Sequence, residues 1–468
     1  MDKILNKIKR FIPRKIFRFF QPAYHFFFAW LAAAIYRWPS EKMIVIGITG
    51  TTGKTTTAYL VAKTLQAAGF KVGLSSTAVF MDGKKEWLND KKMTMVGRIF
   101  TQKLMHDMVK NGCQYAVIET TSEGVVQFRH RFINYDILVF TGLYPEHIES
   151  HGSFEKYKEA KGRLFAHLST CRTKYINAEH QVTKKLPGIK KLDFKRVKKT
   201  IIVNGDDEHC DYFLSFRADK RIVFVNQEGK RANDFELKEK HILRYGGSQA
   251  TAQGTSFTVG GGESIKLQLL GAFNVINAMA AYSVAYTQHV DAVKIKSGLE
   301  SIAGVAGRLE RIDEGQDFAV IVDYAFEPNA VKKLYEAINL FEHNRIIHVL
   351  GATGGGRDIA RRPILGHLAG ANAQIVIVTN EDPYDDDPEL IIDQVALGVE
   401  QEGKKYDENL FKITDRGEAI KKAIQLATAG DIVLITGKGS EQAICVAGGG
   451  KIPWDDREMA RKCLRLNH

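Results

Sequence analysis

Only five cysteines occur in 468 residues, at positions 113, 171, 210, 445 and 463, and none form a Cys-x-x-Cys pair. That scatter excludes a disulfide framework and a zinc ribbon, and it fits a reducing cytoplasm. The apolar run from Phe26 to Tyr36 spans eleven residues, whereas a helix needs about 20 to cross a bilayer. Tyr36-Arg37-Trp38-Pro39 lacks the small residues of a cleavage site, so the run is not a cleavable secretion signal. Internal repeats and long low-complexity tracts are also missing.

What remains is an ordinary soluble composition, 44% hydrophobic and 26% charged, in a chain long enough for two or three domains. Its charge is unevenly spread. Residues 1–40 hold eight Lys or Arg (3, 7, 9, 10, 14, 15, 18 and 37) against the single acid Asp2, which gives +7 of the total +12. Ile4, Ile8, Phe11, Ile12, Ile16, Phe17, Phe19 and Phe20 interleave with these cations at roughly helical spacing, interrupted by Pro13. With Tyr24, Trp30, Tyr36 and Trp38 near the ends of the apolar run, the segment reads as a helix lying in the interface of an anionic membrane. The same apolar face would also serve to pack it on the body of the protein, and the sequence leaves both readings open. A second basic cluster (Lys184, Lys185, Lys190, Lys191, Lys195, Arg196, Lys198, Lys199) reads as a solvated surface insertion. Both clusters lie outside any recognisable nucleic-acid module, so no nucleic-acid partner is expected.

The most informative stretch is Gly47-Ile48-Thr49-Gly50-Thr51-Thr52-Gly53-Lys54-Thr55-Thr56-Thr57. It follows the apolar run Met43 to Ile46 and precedes a helical pattern at Tyr59, Leu60, Ala62 and Leu65. Strand, glycine-rich turn and helix start in that order form a phosphate cradle, with backbone N–H groups facing the anion. Gly50, Thr51, Thr52, Gly53, Lys54, Thr55 and Thr56 are therefore candidate ATP-binding residues, Lys54 as a point charge and Thr55 as a Mg²⁺ ligand. Ile48 stands where the strict spacing has glycine, so the loop is a variant.

Strand-like runs at Tyr115–Ile118, Ile137–Phe140, Ile201–Val203 and Arg221–Val225 alternate with helical patterns, as in a mononucleotide-binding α/β domain. Residues 183–266 are rich in charge and glycine and are expected to be antiparallel. From Gly307, apolar runs at Phe318–Val322, Ile346–Leu350, Ile375–Val378 and Ile432–Ile435 imply a doubly wound, mostly parallel sheet. The expected organisation is a basic N-terminal segment (1–42), a central P-loop domain (43–306) and a Rossmann-like domain (307–468).

Further motifs follow in order: Glu119-Thr120-Thr121-Ser122, Glu146-His147-Ile148-Glu149-Ser150-His151-Gly152, Tyr157-Lys158-Glu159-Ala160-Lys161 and Gly271-Ala272-Phe273-Asn274-Val275-Ile276-Asn277-Ala278. Gly307-Arg308-Leu309-Glu310, Val322-Asp323-Tyr324-Ala325, Gly354-Gly355-Gly356-Arg357-Asp358, Gly437-Lys438-Gly439 and Ile452-Pro453-Trp454-Asp455-Asp456-Arg457-Glu458 complete the series. Together, from about Met43 to about Leu464, they resemble the Mur ligases, most of all the branch adding the third residue of the peptidoglycan stem peptide. The resemblance implies an ATP-dependent ligase working through an acyl phosphate, with catalytic Lys54, Glu119, His147 and Lys161. It implies two Mg²⁺ ions held by Thr55, Glu119 and His147, with Lys161 carbamylated to support the second. Asn277 would meet adenine, Arg308 the phosphates and Asp323 the ribose, with closure hinged near Gly307. Thr94, Thr121, Ser122 and Arg129 would contact the acceptor, and Glu381, Asp382, Tyr384, Gly437 and Glu441 the incoming amino acid.

Departures from the pattern fall on the substrate side. Tyr384 replaces the arginine of diaminopimelate-adding members and cannot form its bidentate carboxylate pair. The acids Glu381, Asp382, Asp385, Asp386 and Asp387 would suit a cationic amino acid such as lysine or ornithine, or would simply open the helix at Pro388. Phe326, Ser440 and Glu123 each stand where the family has histidine. The P-loop begins too early for the family's uridine-binding first domain, which makes the acceptor an open question. A monomer acting on small molecules in the cytoplasm is expected, with the inner membrane face as the surface residues 1–40 would meet. The alternatives are a poly-amino-acid or folate-type polyglutamate ligase, and a membrane-bound relative without catalysis.

Overall fold

The computed structural model describes residues 14–146, 151–183, 194–234, 241–356 and 359–467. Helix α1 (Arg14–Ile35) and a tight turn lead into β1 (Ile44–Thr49), α2 (Lys54–Ala67), β2 (Val72–Ser75) and the short strands β3 (Val79–Met81) and β4 (Glu86–Leu88). Then come α3 (Arg98–Lys110), β5 (Tyr115–Glu119), α4 (Ser122–Val126), β6 (Ile137–Phe140) and α5 (Phe154–Leu168). The sheet is extended by β7 (Thr200–Asn204), β8 (Lys220–Asn226), β9 (His241–Thr251), β10 (Gly254–Val259) and β11 (Glu263–Leu267), before helices α6 (Phe273–Thr287) and α7 (Ala292–Glu300).

Strand order is β11-β10-β9-β8-β7-β6-β1-β5-β2-β3-β4. The inner strands are apolar throughout because both faces are covered. Ile44, Ile46 and Ile48 point to the side packed by α2, α6 and α7, while Met43 and Val45 point to the side of α3 and α5. β1 lies between parallel neighbours β5 and β6, and the chain reverses its direction of winding there, which opens a crevice at the strand's carboxyl end. The antiparallel expectation for residues 183–266 needs correction. β7, β8 and β9 continue the parallel sheet from β6, whereas β9-β10-β11 is antiparallel, as is a small separate sheet in which Tyr175–Ile176 pairs with Val182–Thr183 and Lys195–Arg196. Lys199 is also not solvated: its ammonium donates to buried Asp136 at 2.8 Å, opposite Lys174 at 2.5 Å. Lys195, Arg196 and Lys198 are exposed, and Lys184, Lys185, Lys190 and Lys191 lie outside the described residues.

The second sheet comprises β12 (Glu310–Ile312), β13 (Ala319–Asp323), β14 (Ile346–Leu350), β15 (Ile375–Thr379), β16 (Leu410–Ile413) and β17 (Ile432–Thr436), in the order β12-β13-β17-β14-β15-β16. All but β12 are parallel. Helices α8 (Pro328–Ile338), α9 (Arg361–Asn372) and α10 (Pro388–Glu400) pack one face, and α11 (Arg416–Leu426) and α12 (Asp456–Asn467) the other. Both sheets are thus doubly wound, and the chain is an α/β protein.

Helix α1 runs unbroken through Pro22. Buried Ala29, Ala32 and Ala33 seat it on α3, while Phe26, Phe27 and Trp30 are exposed. Packing on the body therefore uses only one side of it. Among the described residues, no helix is long and apolar enough to cross a membrane.

Candidate active site

The carboxyl ends of both sheets face one cleft of about 850 Å³. On its first wall the P-loop turns at Gly53 in the left-handed region (φ 77°), where an added Cβ would meet Asn277 Oδ1 at 2.3 Å. Glycine is therefore required on two counts. Asn277 is held against the loop, accepting from Thr57 Oγ1 at 3.2 Å and donating to Asn274 at 2.8 Å. Lys54 Nζ donates to Thr51 O at 2.7 Å, and Thr51 is braced by Gly142 O and the Tyr157 hydroxyl. Thr52 O accepts from Thr141, and buried Thr56 opens α2.

Beneath the loop, Lys161 is fully buried on α5 and donates to Gly50 O at 2.8 Å, with its ammonium 4.5 Å from the Tyr157 ring centre. Burial, reinforced by Lys54, pushes its pKa well below the ordinary lysine range. Thr55 Oγ1 lies 3.1 Å from both oxygens of Glu119, which Thr77 also holds through its backbone N–H at 2.7 Å. A hydroxyl beside a positioned carboxylate suits a hard cation such as Mg²⁺. His147 lies outside the described residues. Its neighbour His151 places Nε2 3.1 Å from Ser122 Oγ.

The acceptor candidates gather on the same wall. Thr94 hydrogen-bonds Thr77 at 3.0 Å, and Thr121 caps α4. Arg129 donates to Met95 O and to Gln127 Oε1, and burial pushes its pKa down to about 10.

Residues 307 onward form the opposing wall. Arg308 lies 4.3 Å from the Tyr324 ring centre and donates across the cleft to Thr55 Oγ1 at 3.2 Å. Asp323 accepts from Leu309 N and Ala325 N, both at 2.7 Å, and burial raises its pKa. Gly307 is packed so tightly that a Cβ would meet Ser440 N at 2.1 Å. At the far end, Lys438 donates to Asp382 at 2.9 Å and to Glu441 at 2.7 Å. Lys92, from the first wall, reaches the same carboxylates at 2.5 and 3.0 Å.

The acid run divides by role. Asp382 is neutralised by two lysines, Asp385 accepts from Gly448 N, Asp386 from Gly356 N and Arg362, and Asp387 caps α10. Glu381 differs. It is buried, its Oε1 accepts from Thr353 at 2.8 Å, and its Oε2 has no hydrogen-bond partner among the described residues. Gly437 leaves it room, since a Cβ there would meet Oε2 at 2.5 Å. Tyr384, in the left-handed region (φ 51°), lines the cleft beside it.

The structure thus gathers Lys54, Thr55, Glu119 and Lys161 at one end and Glu381, Asp382, Tyr384, Gly437 and Glu441 at the other. Arg308 and Asp323 lie at the junction. Sequence reading missed Lys92 and Thr77. Lys92 sits in a lysine pair within an irregular loop, and nothing local marks it. Thr77 follows β2 at the strand end next to β5, a weak signal that could have pointed to Glu119.

A phosphate cradle on one doubly wound sheet, overlaid by an arginine and carboxylates from a second, is the layout of an ATP-dependent ligase. The sequence patterns of the Mur ligase middle domain match residues 48–198 and 189–285, and those of the Mur ligase glutamate ligase domain match 307–439. The chain belongs to the Mur ligase family, whose members form amide bonds using ATP and Mg²⁺. A UDP-N-acetylmuramyl-tripeptide synthetase of Roseiflexus sp. (strain RS-1) is 37% identical over 443 residues, covering 93% of this chain and 81% of the relative. A solved UDP-N-acetylmuramoyl-L-alanyl-D-glutamate–2,6-diaminopimelate ligase is 26% identical with a TM-score of 0.56, covering 91% and 79%. A Mycobacterium tuberculosis folylpolyglutamate synthase shares the fold, with a TM-score of 0.63 at 17% identity over 87% of this chain and 91% of that one.

Proposed function

We propose that this ligase adds an amino acid to a peptidoglycan precursor peptide, at the third stem position, through an acyl phosphate. The observation that carries the reading is one cleft in which the P-loop faces a wall holding buried Glu381, whose Oε2 has no hydrogen-bond partner among the described residues. The division at residues 43–306 and 307–468 then puts the P-loop and acceptor residues on one wall and the amino-acid residues on the other, with Arg308 and Asp323 reaching ATP from the second and Gly307 at the hinge. The acceptor carboxylate would attack the γ-phosphate, releasing ADP. The amine would then attack the acyl carbon, expelling phosphate and losing a proton.

Lys54 and Arg308 are placed to offset charge on the transferring phosphoryl group, and Gly50 to Thr56 to cradle the phosphates. Asn277 is assigned to adenine and Asp323 to ribose. Thr55 and Glu119 would hold one Mg²⁺, and His147 with Lys161 a second. Bound Mg²⁺ neutralises the phosphate oxygens. Burial that disfavours the charged ammonium eases uptake of CO₂ by the amine as a carbamate, which fits the proposed role of Lys161. Thr94, Thr121, Ser122 and Arg129 would hold the acceptor.

The unpaired Glu381 oxygen favours a cationic amino acid, and Tyr384 disfavours diaminopimelate. Residues 1–40 would place this monomer against the inner face of an anionic membrane. A folate-type or poly-amino-acid acceptor is the second reading, favoured by the shared fold of folylpolyglutamate synthase.

The test is phosphate release from ATP and Mg²⁺ with UDP-MurNAc-L-Ala-D-Glu and a panel of amino acids. Release that needs both partners and peaks with lysine or ornithine supports the reading. Release stimulated only by folate or polyglutamate acceptors overturns it.

A further inference from the structure

We infer that the outward side of α1 is a docking surface for an anionic lipid bilayer, set directly behind the acceptor wall of the cleft. On one side of the helix, Ala29, Ala32 and Ala33 are buried against α3. On the other, Phe27 and Trp30 are 51 and 43% exposed, and Ile35 extends the stripe at 59%, while Phe26 at its border is 48% exposed and rests edge-on against Phe132. From residue 19 to residue 36 the chain has no Asp, Glu, Lys or Arg. Monomeric proteins seldom leave such an aromatic stripe in water, so something covers it.

Charge decides what that is. Seven Lys or Arg precede Phe19, and Arg37 closes the segment, against one acid. Aromatic side chains flanked by cations match the boundary between anionic headgroups and acyl chains. A second copy of this chain would instead bring another +7 to the same face and be repelled. Spanning is also excluded for the described helices.

The inner side of the helix leads to the acceptor candidates. His25 Nδ1 contacts Arg98, which donates to Gln127 O at 2.7 Å, and Gln127 Oε1 accepts from Arg129 at 2.6 Å. A docked chain therefore holds its acceptor wall at the lipid surface, within a few hydrogen bonds of the bilayer-facing helix.

This inference deepens the proposed membrane contact of residues 1–40. Vesicle binding tests it independently of turnover, so either reading can fail alone. The full chain is sedimented with vesicles of phosphatidylglycerol and phosphatidylcholine, or of phosphatidylcholine alone. The expected result is partition onto the anionic vesicles, weakened about tenfold by Phe27→Glu with Trp30→Glu and by raised salt. Both substitutions sit on the solvent side, so melting temperature and phosphate release without vesicles should match the parent. Quenching of the parent's tryptophan fluorescence by brominated anionic lipid gives a readout that needs no variant. Four results overturn the inference: no partition and no quenching, equal partition of the double variant, equal partition onto uncharged vesicles, or a dimer dissolved by the double variant without lipid binding.

Discussion

Lys161 beneath the P-loop and Lys92 at the amino-acid end are both buried, yet their ammonium groups are treated in opposite ways. Burial, with Lys54 nearby, pushes Lys161 well below the ordinary lysine range. For Lys92 the same burial is outweighed by Glu441 and Asp382, which hold it above that range. The difference extends to the two walls. On the phosphate wall, Lys54 and Lys161 reach only carbonyl oxygens among the described residues, Thr51 O and Gly50 O. On the amino-acid wall, two lysines and two carboxylates balance one another. A wall whose Lys54 ammonium meets only a backbone carbonyl among the described residues suits an anionic ligand. A neutral ion cluster with one spare carboxylate is built to set geometry and read a single amine.

The comparison breaks most severely at Lys54. Lys54→Ala should lower amino-acid-dependent phosphate release by about 10²–10³-fold, the loss typical of one preorganised charge-stabilising donor. Steady-state kinetics at saturating ATP check it, and a loss confined to the KM for ATP would mean that Lys54 binds without stabilising the transition state.

Lys161 should come next, with Lys161→Ala losing about 10²-fold in turnover if an anionic carbamate serves the metal site. Parent enzyme in CO₂-free buffer should lose activity and regain it with bicarbonate, which a purely structural lysine would not do. Stability gives the sign check. Because the folded pKa lies below the unfolded value of 10.5, the unfolded chain holds more of this proton than the folded chain between the two values. Stability therefore rises with pH between the folded and unfolded values and levels off above 10.5. Lys161→Met should raise the melting temperature at pH 7 by roughly 2–4 °C per kcal/mol recovered, and the gain should shrink as pH climbs. A melting temperature that falls at pH 7 would contradict the depressed pKa.

Lys92 bridges the ion cluster to the opposite wall. Lys92→Ala leaves one lysine facing two carboxylates, and removing one partner from a buried pair costs about 3–5 kcal/mol. Since closure can absorb part of that loss, the KM for the amino acid should rise about tenfold while that for ATP moves little. Lys92→Arg should restore most of it.

How far these walls could be read beforehand follows from where the information lies. The P-loop is contiguous, so strand, turn and helix start declare Gly50 to Thr56 in one stretch. Alternating apolar runs announced both sheets, and the short edge strand β16 escaped because only Leu410 of its four residues is fully buried and Lys412 is exposed. Lys92 could not be found, because its partner Asp382 is 290 residues away and the pairing exists only when the two sheets face each other. The antiparallel expectation for 183–266 held for β9-β10-β11 and failed for β7 and β8, because charge and glycine content describe exposure, not strand direction. Likewise, amphipathicity announced α1 but not which of its sides the alanines would bury.

The acid run gives the smallest and most discriminating test, because composition makes its five members alike and the fold does not. Glu381→Gln keeps shape and hydrogen bonding while removing the carboxylate oxygen of the run that has no partner among the described residues. It should raise the KM for a cationic amino acid several-fold, about the worth of one charge-assisted hydrogen bond, and leave the melting temperature level or higher, since burial already disfavours that charge. Asp387 accepts from Glu389 N as the N-cap of α10. Asp387→Ala should therefore cost about 1 kcal/mol of stability with no change in the KM for any amino acid, and Asp387→Asn should cost less, because asparagine caps nearly as well. Opposite signatures from two acids six residues apart would assign amine reading to the cleft-facing carboxylate. Matching KM changes at both would assign it instead to the field of the whole run.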